Sequence, residues 1–168
     1  MPPKKKTETS VDTSVKIPVD GKKTNVLEVL IKYHDKDLGK IEKIPVGDWI
    51  DLRSAVRVDM EPNQFRIIPL GISMKLPEGY EAHVLPRSST FKKWGILMVN
   101  SMGVIDESYC GERDIWGFPA LAMRTTTIFK GDRICQFRIV KKMPEVKFTE
   151  VDHMDDKNRG GFGSTGKD

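Results

Sequence analysis

The chain has 168 residues, 38% apolar and 31% charged, which supplies one soluble domain with a sizeable core; no apolar run reaches the ~20 residues that span a bilayer. The formal net charge of +4 is mostly a property of the front: residues 1–25 carry six lysines against three acids, and the remainder is close to neutral. A near-neutral body argues against a duplex-binding face, so no direct nucleic-acid binding is expected. The two cysteines, Cys110 and Cys135, form neither a CxxC pair nor a disulfide framework and read as reduced thiols of a cytosolic protein.

Residues 1–25, rich in Lys, Thr, Ser, Asp and Pro, have little to bury and read as a flexible extension; the basic start has no apolar segment behind it, so it is not a secretory signal. From Val26 the pattern is that of strands: Val26 to Tyr33, Phe65 to Ile68, then Gly71 to Leu76, where Ile72, Met74 and Leu76 alternate with polar neighbours. Glu81 to Leu85, Gly95 to Val99, Asp114 to Ala122 and Arg133 to Val140 continue the series. Their spacing of about ten residues, with turn signals such as Pro77-Glu78-Gly79 and Lys130-Gly131-Asp132 between them, predicts an all-β antiparallel sandwich or barrel. One short helix is predicted over Ser88 to Gly95, hydroxyls at its front and glycine at its end. The predicted core covers residues 26–152, and residues 153–168 form a glycine-rich terminus that has no core of its own and is expected to order only on a ligand or a neighbouring subunit.

Five polar, glycine-bearing segments carry the chemistry: Ile50 to Ala55, Pro86 to Ser89, Asn100 to Gly111, Gly131 to Phe137 and Arg159 to Gly166. Arg87, Ser88 and Ser89 stand where a helix mouth favours an anion, so they read as a phosphate cradle; equally, a serine there caps the helix and Arg87 pairs with a surface acid. Asp106 follows the apolar pair Val104-Ile105 and can leave a strand to face a pocket and take a proton from water; the commoner fate of such an Asp is to cap its own turn. Tyr109 offers a ring for a sugar or for the core. Asn100 offers a donor and an acceptor, as the edge of a pyrimidine requires, or serves as a turn residue at a strand end. Asp51 can face a hydrated cation held by phosphates. Gln136, within an apolar strand, is expected to be buried with a phosphate, water or backbone partner. Gly161 to Lys167 matches the first seven positions of a P-loop, but Asp168 stands where Ser or Thr is required, so the segment is not one.

Over about residues 28 to 166 these segments, in this order, resemble the five motifs of the trimeric dUTP diphosphatases (dUTPases) of phage and bacterial kind. The resemblance implies a dUTPase-like β jelly roll (β-clip) with one short helix, assembled as a homotrimer whose active sites draw residues from three subunits. It implies that dUTP is the substrate and that Mg2+ is required. In this likeness Asp106 activates water for attack on the α-phosphorus, giving dUMP and pyrophosphate. Asn100 and the backbone of Gly103, Val104 and Ile105 read uracil, and Tyr109 packs on the deoxyribose. Arg87, Ser88, Ser89 and Gln136 hold phosphates, and Asp51 reaches the metal through water. Arg159, Phe162, Gly163, Ser164 and Thr165 belong to a closing lid. The family's last motif, RGxGGFGSTG, is two residues shorter here because Arg159 is followed directly by Gly160-Gly161-Phe162.

Two rivals remain. A dCTP deaminase of the same fold uses a glutamate ten residues after the aspartate, where this chain has Trp116; zinc deaminases are excluded because no HxE with PCxxC is present. A non-catalytic nucleotide-sensing or protein-binding trimer has no need of Asp51, Asp106, Tyr109 and Gln136 together. The expected location is the cytoplasm, or the host cytoplasm for a viral protein.

Overall fold

A computed structural model describes residues 26–161; the predicted extension over residues 1–25, and Phe162, Gly163, Ser164 and Thr165, lie outside the described residues. Eleven strands and one helix follow in order: β1 (Leu30–Tyr33), β2 (Ile50–Arg53), β3 (Val58–Met60), β4 (Phe65–Pro69), β5 (Ile72–Lys75), β6 (Tyr80–Pro86), α1 (Thr90–Trp94), β7 (Ile96–Met98), β8 (Gly103–Ile105), β9 (Gly117–Ala122), β10 (Thr126–Ile128) and β11 (Arg133–Lys141). All pairings among the described residues are antiparallel, as the ten-residue spacing predicts. Four sheets result, ordered β2-β11-β6-β8, β4-β9-β7, β1-β5 and β3-β10.

Period-two patterning explains the core. Along β6, Ala82 and Val84 are buried while their neighbours are partly exposed, and along β9 Phe118, Ala120 and Ala122 do the same. These join Leu52, Ile68, Ile72, Met74, Ile96, Ile128, Ile134 and Phe137 in one cluster. Trp116 meets Phe137 edge-on, with centroids 5.4 Å apart, and closes its centre. Cys135 is buried on β11, where desolvation pushes its thiol up, so it stays protonated as a small apolar side chain.

The helix lies where the sequence places it, but its front is built differently. Ser89 occupies the N-cap without a side-chain cap bond. The hydroxyl that works there is that of Thr90, fully buried, which accepts the Arg87 N–H at 2.9 Å and donates to the Ile134 carbonyl at 2.8 Å. Gly95 ends the helix with φ +63°, a conformation that glycine adopts without a Cβ penalty. The last strand ends at Lys141, and residues 142–161 run on as exposed coil. Among the described residues no helix is long and apolar enough to cross a membrane.

Candidate active site

Strand register assembles the first half of the site. Gln136 on β11 pairs directly with Asp51 on β2, and the same stretch of β11 pairs with the end of β6, Cys135 opposite Pro86. Because successive side chains alternate faces, this register brings Asp51, Gln136 and the Arg87-Ser88 segment to one cleft of about 420 Å3, which Arg133 also lines. Gln136 is half-buried rather than enclosed, and its amide donates to the Pro86 carbonyl at 3.2 Å, the backbone partner among the alternatives. Asp51 is held by two guanidinium groups: Arg87 Nε approaches Oδ1 at 2.7 Å and Arg133 Nη1 approaches Oδ2 at 3.0 Å. Arg87 thus pairs with an acid, and that acid is the residue expected to face the metal. Such paired forks are well suited to exchange a carboxylate for phosphate oxygens. Ser88 is exposed on the cleft wall, whereas Ser89 does not line it.

The second half gathers at the other edge of the same sheet. β8 pairs with β6, Val84 opposite Gly103 and Ala82 opposite Ile105, and its exit carries Asp106. Asn100, Gly103, Val104, Ile105, Asp106 and Tyr109 line one cleft of about 370 Å3. Asn100 sits in the turn after β7, exposed, its carbonyl accepting the Met102 N–H at 2.5 Å. Tyr109 is half-exposed over the cleft, its hydroxyl 3.4 Å from the Ile115 carbonyl.

Asp106 is exposed, and its Oδ1 accepts the Ser108 N–H at 2.8 Å and the Ser108 hydroxyl. The turn-capping geometry is therefore present. The Ser108 hydroxyl first, and its N–H next, hold the carboxyl below the usual aspartate range, so it stays ionised and able to accept a proton. Ser108 was not singled out by sequence; an Asp with Ser two residues on is the signal that points to such a turn. Arg133 is a second such residue, carried within the segment Gly131 to Phe137. Among the described residues Asp106 is the only carboxylate lining this cleft, and Trp116, ten residues on, lines it without supplying an acid.

The two clefts share no lining residue. Asp51 on β2 and Asp106 at the exit of β8 belong to opposite edges of a four-stranded sheet, three strand spacings or about 14 Å apart in the hydrogen-bonding direction, while Gln136 on β11 and Arg87 at the end of β6 lie on the strands between. Arg159 stands in the exposed coil after β11 and lines neither cleft.

A family model for dUTPase matches residues 49–166, so all five segments fall inside the match. The chain belongs to the dUTPase family. It is 58% identical over 140 residues to a SPbeta prophage-derived deoxyuridine 5'-triphosphate nucleotidohydrolase of Bacillus subtilis, covering 83% of this chain and 99% of that protein. It is 36% identical over 144 residues to the deoxyuridine 5'-triphosphate nucleotidohydrolase of Neorickettsia sennetsu, covering 83% of this chain and 95% of that one. Among solved structures, a variant dUTPase of Staphylococcus bacteriophage 80alpha with dUpNHpp superposes with a TM-score of 0.68 at 23% identity, over 83% of this chain and 98% of the other. A dUTPase variant from phage phi11 of S. aureus, with a structural Mg(II) ion, superposes with a TM-score of 0.63 at 21% identity, over 74% and 98%. The fold is accordingly the dUTPase β jelly roll, with one short helix.

Proposed function

We propose that this chain is a dUTP diphosphatase that hydrolyses dUTP to dUMP and pyrophosphate, with Asp106 as general base. The observation that carries the assignment is the cleft beyond β8, where a single ionised carboxylate stands among Asn100, the β8 backbone and Tyr109. Asp106 takes a proton from water as the water oxygen bonds to the α-phosphorus; the bond to the bridging oxygen breaks and pyrophosphate leaves. Asn100 and the backbone of Gly103 to Ile105 read the uracil edge, and Tyr109 packs on the deoxyribose. Arg87, Ser88 and Gln136 hold phosphates, with Arg133 beside them and Ser89 next to them at the helix N-cap, outside the cleft lining. Arg159, Phe162, Gly163, Ser164 and Thr165 close over the nucleotide.

A homotrimer is the assembly this reading takes, because Asp106 lines one cleft, Asp51, Arg87 and Arg133 line another, and the two share no lining residue. Sharing sites between subunits brings one protomer's base cleft to another's phosphate cleft. The apolar residues Phe65, Ile67 and Leu97, on the β4-β9-β7 sheet and exposed in the single chain, support burial against other copies.

The metal of this reading is Mg2+. Among the described residues no cluster of three or more His, Cys, Asp or Glu can cage a cation, and both Asp51 oxygens engage arginines. That donor set fits a hard cation held mainly by triphosphate oxygens, with Asp51 reached through water. When bound with substrate, the ion supplies neutralising charge to the phosphates.

One assay tests the whole reading: release of pyrophosphate and ammonia from dUTP, dCTP, dTTP and UTP, with and without magnesium. Pyrophosphate from dUTP alone is expected. Ammonia from dCTP would instead establish a deaminase. Asp106→Ala should remain folded and bind nucleotide while turnover falls by roughly 10² or more, the scale of a lost general base. Parent-like turnover would remove Asp106 from the mechanism.

A further inference from the structure

Asp106 does little to hold its own loop in place. Both side-chain bonds it makes return to Ser108, and its carbonyl accepts the Tyr109 N–H at 3.2 Å, so these contacts stay within four residues. The residue that ties the loop to the frame is the next one. Glu107 Oε2 accepts the backbone N–H of Gly79 at 2.5 Å, and Oε1 accepts Lys142 Nζ at 2.5 Å. Gly79 and Lys142 are themselves joined, the Lys142 N–H donating to the Gly79 carbonyl at 3.0 Å. Three segments distant in sequence therefore close on one carboxylate: the β8 exit, the turn before β6 and the residue just after β11.

Each corner has a reason to be where it is. The turn before β6 is closed by the Tyr80 N–H on the Pro77 carbonyl at 3.2 Å, and Gly79, with φ +79°, occupies the position that requires a left-handed residue. Lys142 follows directly on the last β11 pairing, Lys141 opposite Tyr80, so the ladder delivers it to the same turn. The Lys142 ammonium first, and the Gly79 N–H next, keep Glu107 below the usual carboxylate range, against the opposing charge of Asp106; the acceptor stays ionised. An exposed ion pair alone holds little, but a charged acceptor on a backbone N–H is short and directional.

We propose that Glu107 is the positioning residue for Asp106, clamping the catalytic loop to the Gly79 turn and to Lys142 at the root of the C-terminal segment. The inference rests on the assignment of Asp106 as base. A general base must stand within hydrogen-bond reach of its water, and a displacement of about 1 Å is enough to cost a large factor in rate.

The test compares Glu107→Ala, Glu107→Gln, Lys142→Met and Asp106→Asn in the full chain with dUTP and magnesium. Glu107→Ala should lower kcat about tenfold while KM stays within about twofold and the melting temperature moves little, the pattern of lost orientation rather than lost binding. Glu107→Gln keeps an acceptor for the Gly79 N–H and should recover most of that loss; Lys142→Met, which removes only the cation, should cost less than Glu107→Ala. Parent-like kcat in Glu107→Ala, alongside an inactive Asp106→Asn, overturns the clamp and leaves the base in place. An Asp106→Asn variant with parent-like turnover overturns the base assignment itself. If Glu107→Ala does not fold, the glutamine and methionine variants decide: equal losses in kcat and stability in both would mark the contact as structural only, and reject the proposal.

Discussion

Replacing Thr90 by valine should destabilise the protein and weaken its hold on phosphate. Thr90 is fully buried; its hydroxyl accepts the Arg87 N–H and donates to the Ile134 carbonyl, while its own N–H donates to the Arg87 carbonyl at 3.0 Å. Ile134 sits at the register shift between Arg133 and Cys135, outside the ladder pairs with β2, so the hydroxyl satisfies a carbonyl at an irregular point. Valine keeps the shape and deletes both bonds. Orphaning two backbone groups at about 1–3 kcal/mol each, without full additivity, gives a loss of about 2–4 kcal/mol. For a chain of this length that corresponds to a fall of roughly 5–15 °C in melting temperature. Thr90→Ser, which keeps the hydroxyl and loses a methyl, should cost only about 1 kcal/mol. Thermal and urea unfolding at one fixed protein concentration measure both variants, since an oligomer's midpoint depends on concentration. With Arg87 no longer braced, KM for dUTP should rise in the valine variant more than kcat falls. A valine variant as stable as the serine one would refute the account of the hydroxyl as the joint between the helix and β11.

Ser108→Ala removes the largest cause of the lowered Asp106 pKa, so the carboxyl should return towards the ordinary aspartate value of 3.8. The base works ionised; raising its pKa moves the acid limb of kcat to higher pH, and an unchanged or opposite limb in a pH–rate profile would contradict the assignment. Gly71→Ala should destabilise by about 2–4 kcal/mol in urea unfolding, because Gly71 has φ +69° and a Cβ there would stand 2.9 Å from Ala55 Cβ and 3.1 Å from Leu38 Cδ2. Truncation after Asn158 removes residues that follow β11 by more than fifteen positions along the chain and leaves every described strand intact, so the melting temperature should hold. Turnover should nevertheless fall at least about tenfold, the scale of lost substrate positioning.

The longer strands were legible because their patterning was strong. β6 and β9 are long enough for period two to stand out, whereas in β5 Ser73 is buried between Ile72 and Met74, and in β11 Ile134 and Cys135 are buried in succession. β3 and β10, with three residues each, pair only with one another and offer too short a pattern to read. β2 was visible as a chemical segment but not as a strand, because three of its four residues are only partly buried and Asp51 interrupts the apolar run. The helix end was legible from Gly95; its start was not, because three hydroxyls in a row cannot reveal which one meets a carbonyl 44 residues away.

The candidate site residues were legible one by one, while their distribution over the sheet was not. Nothing in the order of the segments says that β8 pairs beside β6 whereas β2 lies beyond β11, yet that topology separates Asp106 from Asp51. The apparent conflict between turn-capping Asp and catalytic Asp dissolves in the same way. A carboxylate exposed at the end of an edge strand needs donors to fix its direction, and Ser108 supplies them on one oxygen. In the proposed mechanism, the local bond that made the ordinary reading attractive aims the base and holds it below the ordinary aspartate range. Glu107, bonded through its own carboxylate to Gly79 and Lys142, extends that restraint from the Asp106 carboxylate to the loop. Orientation within the loop and attachment of the loop are therefore separable, and Ser108→Ala and Glu107→Ala should differ accordingly: the first moves the pH profile, the second lowers the plateau.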